Sequence, residues 1–249
     1  AMGTTAETAT MTPQEQQDVL RCIINTNSGR LPLVLGAGCN DTAALVARIR
    51  NISPDEVSAV LSVAPYYNKP SQEGLYAHFA EIAKASPVPV ILYNIPSRTG
   101  VNMLPGTILR LARDFGNIAG VKEASGSMEQ AMRIIKERPE GFAVYSGDDA
   151  LGVPMTLMGG QGVISVLANS HPAACSAMIK HALGGRIKEA LEIHYRFLDY
   201  ISLLFCEGNP TGVKAAMSLM GKCCPHVRLP LVKASEGLMS SLSQALDKL

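Results

Sequence analysis

Short apolar runs alternate with amphipathic segments through residues 1–184, and this alternation restricts the fold more than any other feature. The apolar runs occupy residues 31–36, 57–63, 88–93, 118–122, 142–146 and 162–166, and each precedes a segment whose apolar side chains recur at helical spacing. Predicted helices include residues 72–85, 105–114, 128–138 and 187–205, and residues 12–15 (TPQE) predict a capping box with proline at the start of the first helix. Continuous apolar strands that are each followed by a helix are typical of a parallel sheet covered by helices. The chain is therefore predicted to have an α/β fold.

A closed barrel accounts for this pattern better than an open, doubly wound sheet, because no glycine-rich dinucleotide fingerprint follows a strand. Residues 1–184 are predicted to form a TIM (β/α)8 barrel, and residues 185–249, whose pattern is helical only, a C-terminal helical appendage. We count about seven strands against the eight of a complete barrel, the first of them truncated. The prediction is thus a barrel that lacks its N-terminal strand-helix-strand portion. Ala1 resembles a residue left by tag removal, which would make Met2 the encoded start.

Composition and charge argue against several classes of protein. The chain carries 22 Lys+Arg and 21 Asp+Glu, and 47% of its residues are hydrophobic, which argues against a disordered chain and against binding of nucleic acid through bulk charge. No apolar run approaches the roughly 20 residues that cross a bilayer, so no membrane partner is predicted. The 6 cysteines are scattered and follow no secretory signal, which favours a cytoplasmic protein.

Neither a metal nor an organic cofactor is predicted. The 5 histidines lack the spacing of metal ligands, and residues 223–226 (CCPH) lack a second ligand pair. The glycine-rich residues 158–162 (MGGQG) lack the Lys-Ser/Thr of a nucleotide-binding loop.

Lys122 is the candidate nucleophile. Catalytic side chains of parallel barrels lie at the carboxyl ends of strands, and Lys122 ends the apolar run at residues 118–122. An amine that is desolvated at the barrel mouth loses basicity and can form a Schiff base with a carbonyl substrate. The alternative is a lysine that extends from the strand end towards solvent, paired with Glu123.

Other polar residues follow neighbouring strands. Tyr93 is a candidate general acid and base for the lysine, with Thr5 passing the proton onward, or alternatively a packed aromatic with a satisfied hydroxyl. Arg98, in a loop that contains proline and glycine, could hold a carboxylate through two hydrogen bonds, or be solvated. Tyr66 and Tyr67 adjoin on another strand-end loop, where one could pack and the other could reach across a subunit boundary.

Six segments occur in a single order along most of the chain. They are residues 3–7 (GTTAE), 65–74 (PYYNKPSQEG), 92–100 (LYNIPSRTG), 121–126 (VKEASG), 146–149 (SGDD) and 162–165 (GVIS). Together they resemble the dihydrodipicolinate synthase family, within the superfamily of Schiff-base pyruvate aldolases and lyases that includes N-acetylneuraminate lyase. Any one of them is moderately specific, whereas six in order are strong.

The resemblance implies a reaction and a proton relay. Lys122 would form an imine with pyruvate, and the resulting enamine would attack L-aspartate 4-semialdehyde before the adduct cyclises to hydroxytetrahydrodipicolinate on the way to lysine. Tyr93, Thr5 and Tyr67 would form the relay, with Tyr67 supplied by a neighbouring subunit. A homodimer or homotetramer is therefore expected.

The resemblance also implies substrate contacts. Thr4 and Thr5 would hold the carboxylate of pyruvate, and Arg98 that of the semialdehyde. Gly147 and Ile164 would provide the backbone wall beside the imine. The Ser-Arg-Thr sequence around Arg98 is similar to the synthase pattern and not to that of the sialic acid lyases, which favours the synthase.

The family pattern for feedback inhibition by lysine is only partly present. Asn40 and Tyr66 match it, but Ala44 stands where an acidic side chain would bind the ammonium of lysine, and Pro13 and Gln16 stand where histidines are frequent. A buried ammonium without a partner is unfavourable, so weak inhibition is predicted. Two other functions stay open: another 2-keto acid aldolase such as N-acetylneuraminate lyase, and a catalytically weak, truncated relative that serves as a scaffold.

Overall fold

A computed structural model describes all residues, 1–249. Six parallel strands form one curled sheet in the order β1-β2-β3-β4-β5-β6. The strands are β1 Val34–Gly36, β2 Ala59–Val63, β3 Val90–Asn94, β4 Ile118–Glu123, β5 Ala143–Ser146 and β6 Gly162–Val163. The helices are α1 Pro13–Asn27, α2 Thr42–Ile49, α3 Gln72–Ala85, α4 Pro96–Thr99, α5 Pro105–Asp114, α6 Met128–Glu137, α7 Gly152–Leu157, α8 Leu167–Ser170, α9 Pro172–Leu183, α10 Ile187–Phe205, α11 Thr211–Leu219 and α12 Glu236–Leu246. The fold is α/β, as predicted.

The first residue of the chain extends the hydrogen-bond ladder of the sheet. The ammonium of Ala1 donates to the carbonyl of Val34 (2.7 Å), and the N–H of Gly36 donates to the carbonyl of Ala1 (2.8 Å). This is the bonding pattern of a parallel pair, with Ala1 opposite Leu35. The chain then leaves the sheet through a 3₁₀ turn at Thr4–Ala6, so residues 4 and 5 do follow a strand-like position.

Alternate side chains of the strands enter two different apolar layers, as the period of two requires. Val60, Val90, Leu92, Val121 and Val144 pack outward against the helices in the larger core. The inner layer is formed by buried and half-buried side chains of the same strands, among them Ala59, Leu61, Ile91, Tyr93 and Tyr145. The inner layer ends at the carboxyl ends of the strands, where the candidate site lies.

A second large core joins the end of the sheet region to the helices that follow it. It includes Val153 of α7 and Met178 of α9 together with Phe197 of α10, Val213 of α11 and Leu242 of α12. The helical segment is therefore packed against the last helices of the sheet region. This packing brings the loop between α10 and α11 towards the strand ends.

Local signals set most helix ends. Thr12 and Glu15 form the capping box expected from the sequence, with Pro13 in the first turn of α1. Ser71 caps α3 and Ser127 caps α6 through the same kind of side-chain bond. These are short-range contacts, and the predicted starts of the three helices agree with the structure.

Some predicted strand bounds differ from the observed ones. The run at residues 31–36 forms a strand from Val34 onward because Pro32 has no N–H and the N–H of Leu33 donates to the Ser58 hydroxyl. The run at residues 162–166 ends as a strand at Val163, because Asp149 accepts the N–H groups of Val166 and Leu167 at the start of α8. The one-turn helices α4 and α8 were not predicted, since a single turn carries no apolar period.

Candidate active site

Lys122 lies in the row of side chains that closes the inner layer at the strand ends. In the parallel register Tyr93 of β3 is opposite Lys122 of β4, which is opposite Tyr145 of β5. The Lys122 Nζ lies 4.1 Å from the centroid of the Tyr93 ring. A cation so close to an aromatic ring is stabilised by the ring's electrons, and the contact orients the lysine towards Tyr93.

Lys122 makes no ion pair with Glu123. The carboxylate of Glu123 lies on the other side of the strand, where it accepts hydrogen bonds from Asn94 and Gln130. Burial lowers the pKa of Lys122 to about 8, with the Asp149 carboxylate opposing this change and the Arg98 guanidinium adding to it. An amine with this pKa is partly neutral near physiological pH, as a Schiff-base nucleophile must be.

The lowered pKa gives an expected pH dependence for adduct formation with a carbonyl compound. Only the neutral amine attacks, so the initial rate at subsaturating pyruvate should rise about tenfold per pH unit well below the pKa. It should level off as the pH passes the pKa of Lys122, about 8. Adducts reduced by cyanoborohydride and quantified by mass spectrometry measure this rate. A rate that does not change from about pH 6 to pH 9 would contradict attack by a lysine of this basicity.

Tyr93 is buried, and its phenol is less acidic than an exposed one. Burial raises the pKa of Tyr93, while the nearby Thr4 hydroxyl and the charge of Arg98 oppose the rise. Because the phenol stays protonated, it can donate a proton to a substrate oxygen and recover it in a later step. Thr4 is thus the threonine that meets this hydroxyl in the isolated chain.

Thr5 and Arg98 are joined through Asn209, a residue that the sequence analysis did not single out. The Asn209 Nδ2 donates to the Thr5 Oγ1 (3.0 Å), and the Arg98 Nη2 donates to the Asn209 carbonyl (3.1 Å). Asn209 is 6% exposed, and its Oδ1 is buried without a hydrogen-bond partner. The break at residues 208–210 (GNP) between two helical segments was the one signal in the sequence for this loop.

Gly147 borders the lysine, and Ile164 packs against the inner layer nearby in the sheet. A Cβ at Gly147 would lie 2.9 Å from the Lys122 Cε and 2.7 Å from the Ala124 Cβ, so a larger residue there would displace the lysine. Ile164 donates its N–H to the Ser146 carbonyl (2.9 Å), and its side chain packs against the inner layer. Gly147 is therefore the residue that limits the space beside the Lys122 side chain.

Tyr67 is 88% exposed. Its backbone has φ +72°, and its N–H donates to the Thr99 carbonyl at 3.3 Å. Tyr66 is less exposed and lines the cavity described next. The side chain of Tyr67 is thus not gathered with Lys122 and Tyr93 within one chain.

One cavity of about 580 Å³ opens over the strand ends. Thr4, Tyr93, Arg98, Lys122 and Asn209 line it, together with apolar side chains of the inner layer. It is large enough for two small organic acids, and its lining combines an amine, a phenol and a guanidinium. No group of three or more His, Cys, Asp or Glu side chains lies together in a way that could hold a metal ion. None of the helices has the length and apolar character needed to span a membrane.

Comparison with known proteins gives consistent matches over the whole chain. The model of the dihydrodipicolinate synthetase family matches residues 1–249. A 4-hydroxy-tetrahydrodipicolinate synthase of Flavobacterium psychrophilum is 49% identical over 241 residues, which are 97% of this chain and 82% of the relative.

Solved structures agree with the sequence matches. A chloride-inhibited dihydrodipicolinate synthase of Acinetobacter baumannii, in complex with pyruvate, matches with a TM-score of 0.95 and 38% identity over 99% of this chain and 84% of that one. A synthase of Cyanidioschyzon merolae with lysine bound matches with a TM-score of 0.94 and 40% identity over 99% and 84% of the two chains.

Proposed function

The chain belongs to the dihydrodipicolinate synthetase family and is an enzyme of lysine biosynthesis, and on this premise we propose how its residues carry out the reaction. It condenses pyruvate with L-aspartate 4-semialdehyde to give 4-hydroxy-tetrahydrodipicolinate. The observation that carries this assignment to particular residues is the buried Lys122 amine, with its lowered pKa, at a strand end beside Tyr93.

Lys122 is the nucleophile of the proposed mechanism. Its neutral amine attacks the ketone carbon of pyruvate, the carbinolamine loses water, and an iminium forms. Loss of a proton from the methyl carbon gives an enamine, which forms a carbon–carbon bond with the aldehyde carbon of the second substrate. The amino group of that substrate then displaces Lys122 from the iminium carbon, which closes the ring and frees the enzyme.

Tyr93 moves the protons that these steps require. Its protonated phenol, beside the Lys122 amine, donates to the oxygen that leaves as water and later to the aldehyde oxygen. Thr5 passes protons onward, and Asn209 fixes its hydroxyl. Tyr67 completes the relay from a neighbouring subunit, a role supported by its exposure on this chain.

The substrate carboxylates are held at two positions. Thr4 and Thr5 bind the carboxylate of pyruvate, and the Arg98 guanidinium binds that of the semialdehyde. Arg98 lines the cavity, and one of its nitrogens is bonded to the Asn209 carbonyl, which orients the group. The backbone at Gly147 and Ile164 forms the wall next to the imine, supported by the close approach of Gly147 to Lys122.

For the architecture, we propose a (β/α)8-type barrel region at residues 1–184 and a C-terminal helical region at residues 185–249. The six observed parallel strands and the packing of α10–α12 against α7–α9 support this division. A homodimeric or homotetrameric assembly and a cytoplasmic location remain predictions.

Direct assay of the two substrates tests the function. The purified chain is incubated with pyruvate and L-aspartate 4-semialdehyde, and the product is followed by NMR; a parallel incubation contains N-acetylneuraminate. Condensation in the first and no cleavage in the second are the expected results. Cleavage of N-acetylneuraminate that is faster than the condensation would identify an N-acetylneuraminate lyase. Trapping of pyruvate without any condensation would favour a catalytically weak scaffold protein.

Inhibition by L-lysine is expected to be weak, with most activity retained at millimolar lysine. Ala44, near the start of α2, offers no charge to the ammonium of lysine, and an unpaired ammonium is unfavourable to desolvate. The assay above, repeated with increasing lysine, measures this. The matched variant Ala44→Glu should gain inhibition, whereas a steep loss of activity in the unsubstituted protein would contradict the prediction.

A further inference from the structure

A cluster of buried and half-buried polar side chains lies on the outer side of the strand ends, behind the lysine and the tyrosine. We call it the Glu123 cluster, and its members are Asn94, Asn102, Glu123 and Gln130. Glu123 is 1% exposed and Asn94 is fully buried. Glu123 has no Lys, Arg or His within ion-pair distance, so its charge is compensated by hydrogen bonds alone.

N–H donors surround the Glu123 carboxylate. Its Oε1 accepts from the Ser125 N–H (2.7 Å), and its Oε2 accepts from the Asn94 Nδ2 (3.0 Å) and the Gln130 Nε2 (3.1 Å). The Asn94 amide cannot turn to offer its oxygen, because its Oδ1 accepts the Met103 N–H (2.9 Å). Both oxygens of a carboxylate accept hydrogen bonds, so a carboxylate satisfies all of these donors. An amide at position 123 would direct its NH2 group, itself a donor, at one of them.

The cluster is attached to the strand positions next to the proposed catalytic pair. Asn94 and Glu123 are opposite each other in the register, directly after the pair Tyr93 and Lys122. Successive side chains of a strand point to opposite faces of the sheet. The orientation of β4 that points Glu123 outward therefore also points Lys122 inward. The hydrogen bond between Asn94 and Glu123 therefore fixes both strand ends relative to each other.

The same cluster also closes the loops that follow these strands. The Ser125 N–H holds the turn after β4 to Glu123, and the Met103 N–H holds the end of the loop that carries Arg98 to Asn94. Gln130 of α6 links the two loops through Asn102 and Glu123. The buried Glu123 carboxylate thus links the segments that carry Lys122, Tyr93 and Arg98.

We propose that Glu123 is a positioning residue for the imine chemistry: its carboxylate, bonded to Asn94, sets the direction and spacing of Lys122 and Tyr93. This inference rests on the proposed function. Buried carboxylates without a cation are unfavourable for folding, and an apolar pair could join the strands at less cost. The buried carboxylate holds its hydrogen-bond donors rigidly, and this places the Lys122 amine and the Tyr93 phenol accurately. Carbonyl attack and proton transfer both depend on that placement.

Glu123→Gln is the first test. The change is isosteric, but whichever way the new amide turns, its NH2 group faces a fixed donor, either the Asn94 amide or the Ser125 N–H, so the strand ends should shift. We expect kcat per active site to fall about 10-fold to 100-fold, with a smaller change in the KM for pyruvate. Active sites are counted by end-point trapping of pyruvate with borohydride, so that unfolded protein does not enter the rate.

A charge-relocating double variant separates positioning from general damage. Asn94→Asp alone places two carboxylates side by side and should be at least as harmful as Glu123→Gln. The combination Asn94→Asp/Glu123→Gln moves the carboxylate across the same hydrogen bond, where it still accepts the Met103 N–H. The amides of Asn102 and Gln130 can turn over to match the new pattern. The double variant should therefore recover at least about tenfold in kcat over the poorer single variant.

Two further variants complete the design. Thr156→Val removes a buried hydrogen bond to the Gly152 carbonyl, away from the cluster, and should lower the melting temperature while leaving kcat per site unchanged. Gln130→Met removes one donor from Glu123 and should lower kcat about threefold to tenfold, which provides the test if Glu123→Gln does not fold.

Distinct results overturn the two proposals. A kcat per site within about threefold of the parent for Glu123→Gln, or for Gln130→Met if the former does not fold, would overturn the positioning role. The positioning role would also be overturned if kcat per site of Asn94→Asp/Glu123→Gln were no higher than that of the poorer single variant. A parent protein that neither traps pyruvate nor turns over would instead count against the proposed function.

Discussion

Replacing Lys122 by alanine is expected to abolish the pyruvate adduct and to lower turnover by at least about a thousandfold. The cavity contains no other amine beside the Tyr93 ring, and residual catalysis from the binding groups cannot form a covalent intermediate. Intact mass after incubation with pyruvate and borohydride measures the adduct, and the condensation assay measures turnover.

Lys84→Ala is a suitable control for the lysine experiment. Lys84 is exposed on α3 and pairs with Glu81, so its loss should affect neither adduct nor rate. The melting temperature of Lys122→Ala should not fall, because removing a buried amine relieves its desolvation. An adduct of unchanged yield on well-folded Lys122→Ala would place the imine on another lysine and would remove the basis of the proposed mechanism.

Replacing Tyr93 by phenylalanine is expected to lower kcat by about 10²-fold to 10⁴-fold, the range for loss of a general acid and base. The ring below the Lys122 Nζ is retained, so the packing and the cation–π contact persist. Pyruvate should still be trapped, though more slowly, because the amine is intact while the leaving oxygen is no longer protonated by the phenol. Single-turnover trapping and steady-state rates distinguish these steps.

Tyr145→Phe is the matched comparison for Tyr93→Phe. Tyr145 is opposite Lys122 on the other neighbouring strand, and its hydroxyl makes no hydrogen bond with another residue. We expect its loss to cost less than about tenfold in kcat. If both variants lost activity equally, the phenol of Tyr93 would have no special part in proton transfer.

Much of the fold was predicted because its signals are local. The bounds of α3, α5 and α10 agree with the sequence analysis, and all six apolar runs contain a strand. A capping side chain, a first-turn proline or an apolar period acts within a few residues, so the sequence displays it directly. Lys122 and Tyr93 were predicted for the same reason, since each ends an apolar run and parallel strand ends meet at one edge of a sheet.

Other features of the site depend on long-range contacts. Thr5 and Asn209 are 204 residues apart, and Arg98 and Asn209 are 111 residues apart. No pattern within a segment indicates such a pair, because the meeting of these side chains depends on how α10 and α11 pack against the sheet region. The hydrogen-bond partners of Glu123 and the exposure of Tyr67 were likewise decided by packing.

The sequence by itself thus determined the strands, most helices and the residue types at the strand ends, because hydrogen bonding and apolar periodicity act over a few residues. The tertiary structure alone decided the environment of those residues: the burial that lowers the pKa of Lys122, the Asn209 bridge, and the Asn94 and Gln130 donors around Glu123. Burial and distance are properties of the packed chain, since they depend on which distant segments displace water from a side chain.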